Sequence, residues 1–395
     1  MEFNDKVQQE IAHRLTASEQ EREQTRQFLN QGELLKADTA KRIEKRKWHL
    51  LANQSLTPIL GKNNWEVLAK GPVHTAPKET QRAFEIQLGG LDTQPAWFLE
   101  LGARIRRTVG RIHIRDASRR IGWGTGFLVA PNLLLTNQHV LDSLTTARFS
   151  RVEFDYEETF AGEFLPSATF NLAPEIFFMS CPADGGMDYA LVAVASHTRP
   201  DSRRSADLAE FGYNILIREE AKLINGELIN SVHHPEGQPR QVSLRENRLM
   251  AVLDLWLHYE TDTTTGSSGA PLYNDQWQVV GIHHAAVEKR DDTGNILAIG
   301  GGRWQREMGD YQKWWYANEG LRISRFIADI EARVKAAMNS ATLSTTEYII
   351  TEKGYMLLQA MLNPPQDEAL QISLPIIPEN NPTGQPLQPN KFNPE

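Results

Sequence analysis

Cysteine is nearly missing from this chain. Cys181 is the single one in 395 residues, which excludes internal disulfides and any zinc site built on several thiolates. Excess positive charge is missing as well: the formal net charge is −8, which argues against a general nucleic-acid or anionic-membrane binder. No stretch approaches the ~18 uncharged apolar residues that span a bilayer, and the opening Met1-Glu2-Phe3-Asn4-Asp5-Lys6 is charged where a signal peptide is apolar. Together these absences predict a cytosolic protein with no nucleic-acid or membrane partner. What is present is ordinary globular composition, with 40% hydrophobic residues and 27 glycines, sufficient to bury a large core.

Periodicity divides the chain. Phe3, Val7, Ile11 and Leu15 recur every four residues among charges, the mark of an amphipathic helix. Gly32 precedes a second such run with Leu35, Ile43, Trp48 and Leu51. Residues 1–62 are therefore expected to form a helical module, a two-helix hairpin or small bundle, suited to partner binding or self-association. Glycine and proline are frequent over residues 63–104, which reads as a connector. Short apolar or β-branched runs then alternate with turns: Val109–Ile114, Gly126–Val129, Leu133–Thr136, Tyr189–Val194 and Val279–His283. Short strands at this spacing predict a mainly β domain over residues 105–340, a sandwich or barrel, closed by a helix over Ile323–Met338. Residues 341–395 read as an extension with a helix over Lys353–Leu362 and a proline-rich tail.

The most informative string is Gly266-Ser267-Ser268-Gly269-Ala270-Pro271. A nucleophilic serine needs backbone N–H groups aimed at the oxygen that turns negative when a carbonyl is attacked, and a G-x-S-G turn offers the N–H groups of Gly266 and Ser268. Serine also needs an adjacent base, and the base needs an orienting carboxylate. His139, in Thr136-Asn137-Gln138-His139-Val140 after two apolar strands, is the candidate base. Asp188, directly before the run from Tyr189 to Val194, is the candidate carboxylate.

In chain order His, Asp, Ser, with T-N-Q-H-V, M-D-Y-A-L and G-S-S-G-A-P around them, these residues resemble the chymotrypsin-fold, trypsin-like serine peptidases, and the bacterial glutamyl-endopeptidase branch in particular. The resemblance spans about residues 105–335. It implies a double β-barrel with the site between the barrels, Ser268 as nucleophile, His139 as proton shuttle, Asp188 fixing the imidazole, and Gly266 and Ser268 forming the oxyanion hole. It implies a protein or peptide substrate and no cofactor. For specificity two likenesses compete. Asp262 stands six residues before the serine, where trypsins place the carboxylate that attracts Lys or Arg. Thr263 and His283 match the threonine and histidine with which glutamyl endopeptidases bind a substrate carboxylate, and a charged imidazole at His283 would compensate that charge. The second likeness is weighed ahead of the first.

Several features stand outside this pattern. Ser267 occupies the position where trypsin-type zymogens carry a buried aspartate, so activation by a new N-terminus lacks its acceptor. The pairs His233-His234 and His283-His284 have no third ligand in sequence, and neighbours on a strand point to opposite faces, so no metal is expected. The helical module is expected to restrain the peptidase, and by analogy with trypsin-like domains joined to adaptor-like helices a conditional bacterial role such as antiphage defence is anticipated. A non-catalytic scaffold that binds peptides through a peptidase fold is the competing expectation.

Overall fold

The computed structural model describes residues 5–52, 61–89, 93–244, 247–260, 267–289, 291, 293, 295–309, 312–339, 348–364 and 372–373. Six helices come first: α1 (Asp5–Ala17), α2 (Glu19–Asn30), α3 (Ala40–Ala52), α4 (Gly61–Lys70), α5 (Lys78–Leu88) and α6 (Trp97–Ile105). Three of them occupy the expected connector. Its glycines and prolines mark helix ends rather than a linker: Pro77 stands at the start of α5 and Gly89 at its end, as proline's fixed φ and missing N–H favour at a first turn. Leu34, Ile43, Leu50, Trp65, Leu68, Val73, Phe84 and Leu88 form a helical core that also takes in Ile224 from far along the chain.

From Val109 the chain becomes antiparallel sheet. The strands are β1 (Val109–Arg115), β2 (Arg120–Ala130), β3 (Leu133–Thr136), β4 (Arg151–Phe154), β5 (Ala168–Asn171), β6 (Phe177–Cys181) and β7 (Tyr189–Ala193), with the short helix α7 (Leu144–Phe149) between β3 and β4. After β8 (Tyr213–Asn214) follow β9 (Asn230–His233), β10 (Gln241–Ser243), β11 (Leu249–Val252), β12 (Trp256–Tyr259), β13 (Pro271–Tyr273), β14 (Val279–Glu288) and β15 (Trp315–Arg322). Helix α8 (Ile323–Asn339), strand β16 (Tyr348–Ile350), helix α9 (Glu352–Leu362) and β17 (Ile372–Ser373), paired with β8, complete the described elements. One sheet runs β16-β6-β7-β3-β2-β1-β4-β5 and the other β10-β9-β13-β14-β15-β12-β11. Each curls around its own apolar interior, Ile112, Leu134, Val152, Phe154 and Phe170 in the first and Leu249, Leu257, Tyr259 and Leu272 in the second.

A third cluster joins the sheets. Phe127, Leu135, Tyr189, Tyr273, Ile282 and Leu321 meet Phe326 and Ile330 of α8 and Leu358 and Met361 of α9. The C-terminal extension thus contributes a strand to the first sheet and a helix to the central core, and residues 348–362 belong to the domain. No helix of the described residues is long and apolar enough to cross a membrane.

The helices are fastened to the second sheet by buried charge. Arg46 on α3, with 1% of its side chain exposed, pairs with Glu227 at 2.8 Å and donates to Gln276 at 2.8 Å. Removing one partner of such a pair strands the other charge away from water. Arg46→Ala is expected to cost about 3–5 kcal/mol of stability in urea unfolding, and a change below 1 kcal/mol would contradict this anchoring role.

Candidate active site

His139 follows β3 on the polar turn that begins at Asn137. Its backbone N–H donates to Asp188 Oδ1 at 2.9 Å, and its Nδ1–H donates to Oδ2 at 2.7 Å. Asn137 Nδ2 donates to the Asp188 carbonyl at 2.9 Å, tying the two turns together. Asp188 takes a left-handed φ of 49° just before β7, an unusual conformation for a side chain other than glycine, though aspartate tolerates it better than most residues. That turn directs a fully buried carboxylate at the imidazole. Burial acts to raise its pKa, but the His139 and His284 imidazoles outweigh this and hold the carboxyl well below the usual carboxylate range.

Ser268 lies on a tight turn between these elements. Its carbonyl accepts from Thr125 N–H at 2.9 Å, the Gly269 N–H donates to the His283 carbonyl at 3.1 Å, and the Ala270 N–H donates to the Ser267 carbonyl at 2.9 Å. Gly269, at φ 84°, presses against the Thr125 carbonyl and the Thr136 hydroxyl, where any Cβ would collide. The serine is thereby held beside Thr136–Asn137, the approach to His139. It is half-buried. A hydrogen bond between the Ser268 hydroxyl and the His139 ring is not among the contacts of the described residues; such bonds are often long without substrate and tighten in the complex. Ser267, by contrast, is buried, and its hydroxyl is held by His233 Nδ1 at 2.6 Å. Asp262, Thr263 and Gly266 lie outside the described residues.

His283 departs from its expected state. It is buried, its Nδ1 is bonded to the Tyr259 hydroxyl at 2.5 Å, and burial pushes its pKa down to about 3. Burial thus favours the neutral imidazole, which works against the expected charge compensation of a substrate carboxylate by His283. Its neighbour meets the candidate-site carboxylate, Asp188. His284 Nδ1 donates to Asp188 Oδ2 at 2.7 Å. The pairing of β14 with β15 slips between His283 and Ala285, so His284 sits on a bulge that re-aims its side chain. Nothing in the sequence marks that bulge, although the alternation of faces already required the two histidines to part. His139, Asp188 and His284 bring three possible ligand atoms within 4.8 Å of one another; both rings are hydrogen-bonded to Asp188 Oδ2 there.

Glu319 on β15 also escaped the sequence reading. It is fully buried; burial would raise its pKa, but hydrogen bonds from Arg14 and His258 overcome this and hold it at about 2.

Residues 124–282 match the family model of the trypsin-like peptidase domain, and this part of the chain is a trypsin-like peptidase domain with the chymotrypsin-like fold. A curated relative, an uncharacterized protein y4fB of Sinorhizobium fredii (strain NBRC 101917 / NGR234), is 34% identical over 268 residues, which take in 64% of this chain and 40% of the relative. The chain spans about two fifths of that relative's length. Similar solved structures include the Rv3671c protease from M. tuberculosis in its active form, with 17% identity, a TM-score of 0.35, and coverage of 59% of this chain and 83% of that one. Deg5 is another, with 16% identity, a TM-score of 0.32, and coverage of 47% and 83%.

The buried imidazoles make stability depend on pH. Burial lowers the pKa of His49 and His233 to about 4, and that of His283 to about 3, from an ordinary 6.5. Between about pH 6.5 and 4 the unfolded chain binds protons that the folded chain refuses, so stability falls as pH falls through this window. At pH 5 each such histidine costs roughly 1–2 kcal/mol. The melting temperature is expected to drop steadily from pH 7 to pH 5, and a flat profile would contradict the burial of these rings.

Proposed function

We propose that the chain is a serine endopeptidase that cleaves a protein substrate through an acyl-enzyme on Ser268. The observation that carries this reading is the double hydrogen bond from His139 to the buried, charged Asp188, with the Ser268 turn fastened to the same segments. With Nδ1–H committed to Asp188, Nε2 of the neutral ring is the acceptor. It takes the proton as Ser268 Oγ attacks the scissile carbonyl carbon, and the C–O bond forms while the carbonyl oxygen becomes negative. The N–H groups of Ser268 and Gly266 are assigned to that oxygen. His139 then passes the proton to the leaving amine as the C–N bond breaks. Water then gives a proton to the same ring as it attacks the acyl carbon, and the ring returns that proton to Ser268 Oγ as the C–Oγ bond breaks and the acid leaves. Asp188 stays ionised throughout and stabilises the imidazolium.

For the residue before the cleaved bond, the neutral His283 removes ionic capture of a carboxylate by that ring. A carboxylate would be held by hydrogen bonds alone, from Thr263 and neutral His283. The closed α6–β1 connection, with Val109 buried as the first strand begins, and the Ser267–His233 hydrogen bond support a mode of control other than release of a new terminus at Val109.

A fluorophosphonate probe tests the reading without knowledge of the substrate. Wild-type protein is expected to label at one site, and Ser268→Ala and His139→Ala to lower the rate by about 10⁴-fold or more. Asp188→Asn should slow it by about 10³- to 10⁴-fold, since an amide there favours the wrong tautomer. Absence of labelling in the wild type, with peptide binding retained, would establish the scaffold instead.

A further inference from the structure

A chain of charged side chains leads from the N-terminal helix to the candidate site. Helix α1 lays Val7, Ile11 and Leu15 on Ala285 of β14 and Ala317 of β15. From the same helix Arg14 reaches inward, donating from Nε to Glu319 Oε2 at 2.8 Å and from a terminal nitrogen to Oε1 at 2.7 Å. This is the two-pronged pairing for which guanidinium and carboxylate are matched. Glu319 also accepts from His258 Nε2 at 3.0 Å, and His258 Nδ1 is bonded to the Ser18 hydroxyl at 2.8 Å. His284 Nε2 stands 3.5 Å from Glu319 Oε1, while its Nδ1–H is on Asp188. Trp256 packs on the His284 ring at 4.7 Å between centroids, with the Arg14 guanidinium 4.6 Å from the tryptophan's ring centre.

We propose that Arg14 is a positioning residue of the active site, acting through Glu319 and His284 on the Asp188–His139 pair. The inference rests on the serine-peptidase reading above. Its physical basis is charge balance among groups withdrawn from bulk solvent, with Asp188, Glu319 and His284 buried and Arg14 partly exposed. Asp188 and Glu319 are two buried anions on either side of one imidazole, and Arg14 is the fixed cation against Glu319. The other titratable groups facing this cluster are the imidazoles of His139, His258 and His283, the Tyr259 phenol and Glu10, which stands 4.0 Å from Arg14 on the same helix. If Arg14 is removed, Glu319 loses its fork and its compensating charge, and the bare carboxylate 3.5 Å from His284 Nε2 pulls that ring away from Asp188. Asp188 is then held less firmly against His139 and is less well placed to stabilise the imidazolium His139 becomes when it accepts the serine proton. Arg14 also fixes where Glu319 and the stacked Trp256 lie, which sets the orientation of His284 against Asp188. The peptidase domain is in this sense completed by a residue more than a hundred positions ahead of its own first motif.

The full-length chain tests this with the same probe, resolved into a maximal labelling rate constant, an apparent probe affinity and the fraction labelled at completion. Arg14→Ala is expected to lower the rate constant roughly ten- to a hundredfold, with probe affinity and labelled fraction unchanged. Arg14→Lys, which keeps the charge but loses the fork, should fall between. Adding Glu319→Gln to Arg14→Ala removes the uncompensated anion and should bring the rate back toward wild type. Lys6→Ala, on the same helix but paired with surface Asp184, should label at the wild-type rate. A wild-type or faster rate in Arg14→Ala would overturn the proposal, the faster rate making α1 a cover over the site. A loss confined to the labelled fraction would also overturn it, since misfolding alone gives that result. Should Arg14→Ala not fold, Arg14→Lys at the wild-type rate constant is the overturning result. Failure of the wild type to label would instead defeat the peptidase reading itself.

Discussion

The site depends on one carboxylate that stays ionised without water. Burial alone would protonate Asp188, and a protonated acid could not hold an imidazole in one tautomer through two bonds. Three N–H groups prevent that: the backbone and ring of His139, and the ring of His284. Everything adjacent is arranged around this requirement. The left-handed turn at Asp188 aims the carboxylate, Asn137 locks the two turns in register, and the bulge on β14 delivers the second imidazole.

The strands were legible because their signals are local. Runs such as Leu133–Thr136 and Tyr189–Ala193 are nearly continuous in apolar residues and buried at every position, as strands covered on both faces are. The period of Ile323, Phe326, Ile327 and Ile330 likewise gave α8, whose buried face is formed by those residues. The motifs around His139, Asp188 and Ser268 are equally local: His139 follows an apolar run, Asp188 precedes one, and Ser268 lies in a Gly/Ser turn before Pro271–Tyr273. What escaped reading is non-local. Pro77 and Gly89 look alike in a linker and at the two ends of a helix, and only packing of Phe84 and Leu88 between them decides. The three residues of β16 carry no periodicity at all. Arg14, His258, His284 and Glu319 are spread over three hundred positions, and each alone reads as an ordinary surface or strand residue. The motif marks His283 for a substrate carboxylate and says nothing of His284, which the register slip turns toward Asp188.

The helices and the sheets are one folding unit in energetic terms. Ile224 sits in the helical core, Arg46 is paired with Glu227 inside the second sheet's flank, and Trp277 donates its ring N–H to the Phe98 carbonyl at 2.9 Å while its ring lies against Gly102 of α6. Each is a buried contact across what the sequence presented as a module boundary. Loss of any of them exposes apolar surface or a bare charge on both sides, so the two parts gain stability from each other.

The outermost strand of the first sheet, β16, is three residues long and leads directly into a helix. A sheet margin is a template on which a second polypeptide can add its own backbone, and the hazard grows with the length of free ladder. Here the C-terminal segment covers β6 and then turns away as α9, so few unpaired amides face outward on that side. By crossing the margin once and leaving it, the chain offers only a three-residue ladder there for edge-to-edge pairing with another polypeptide.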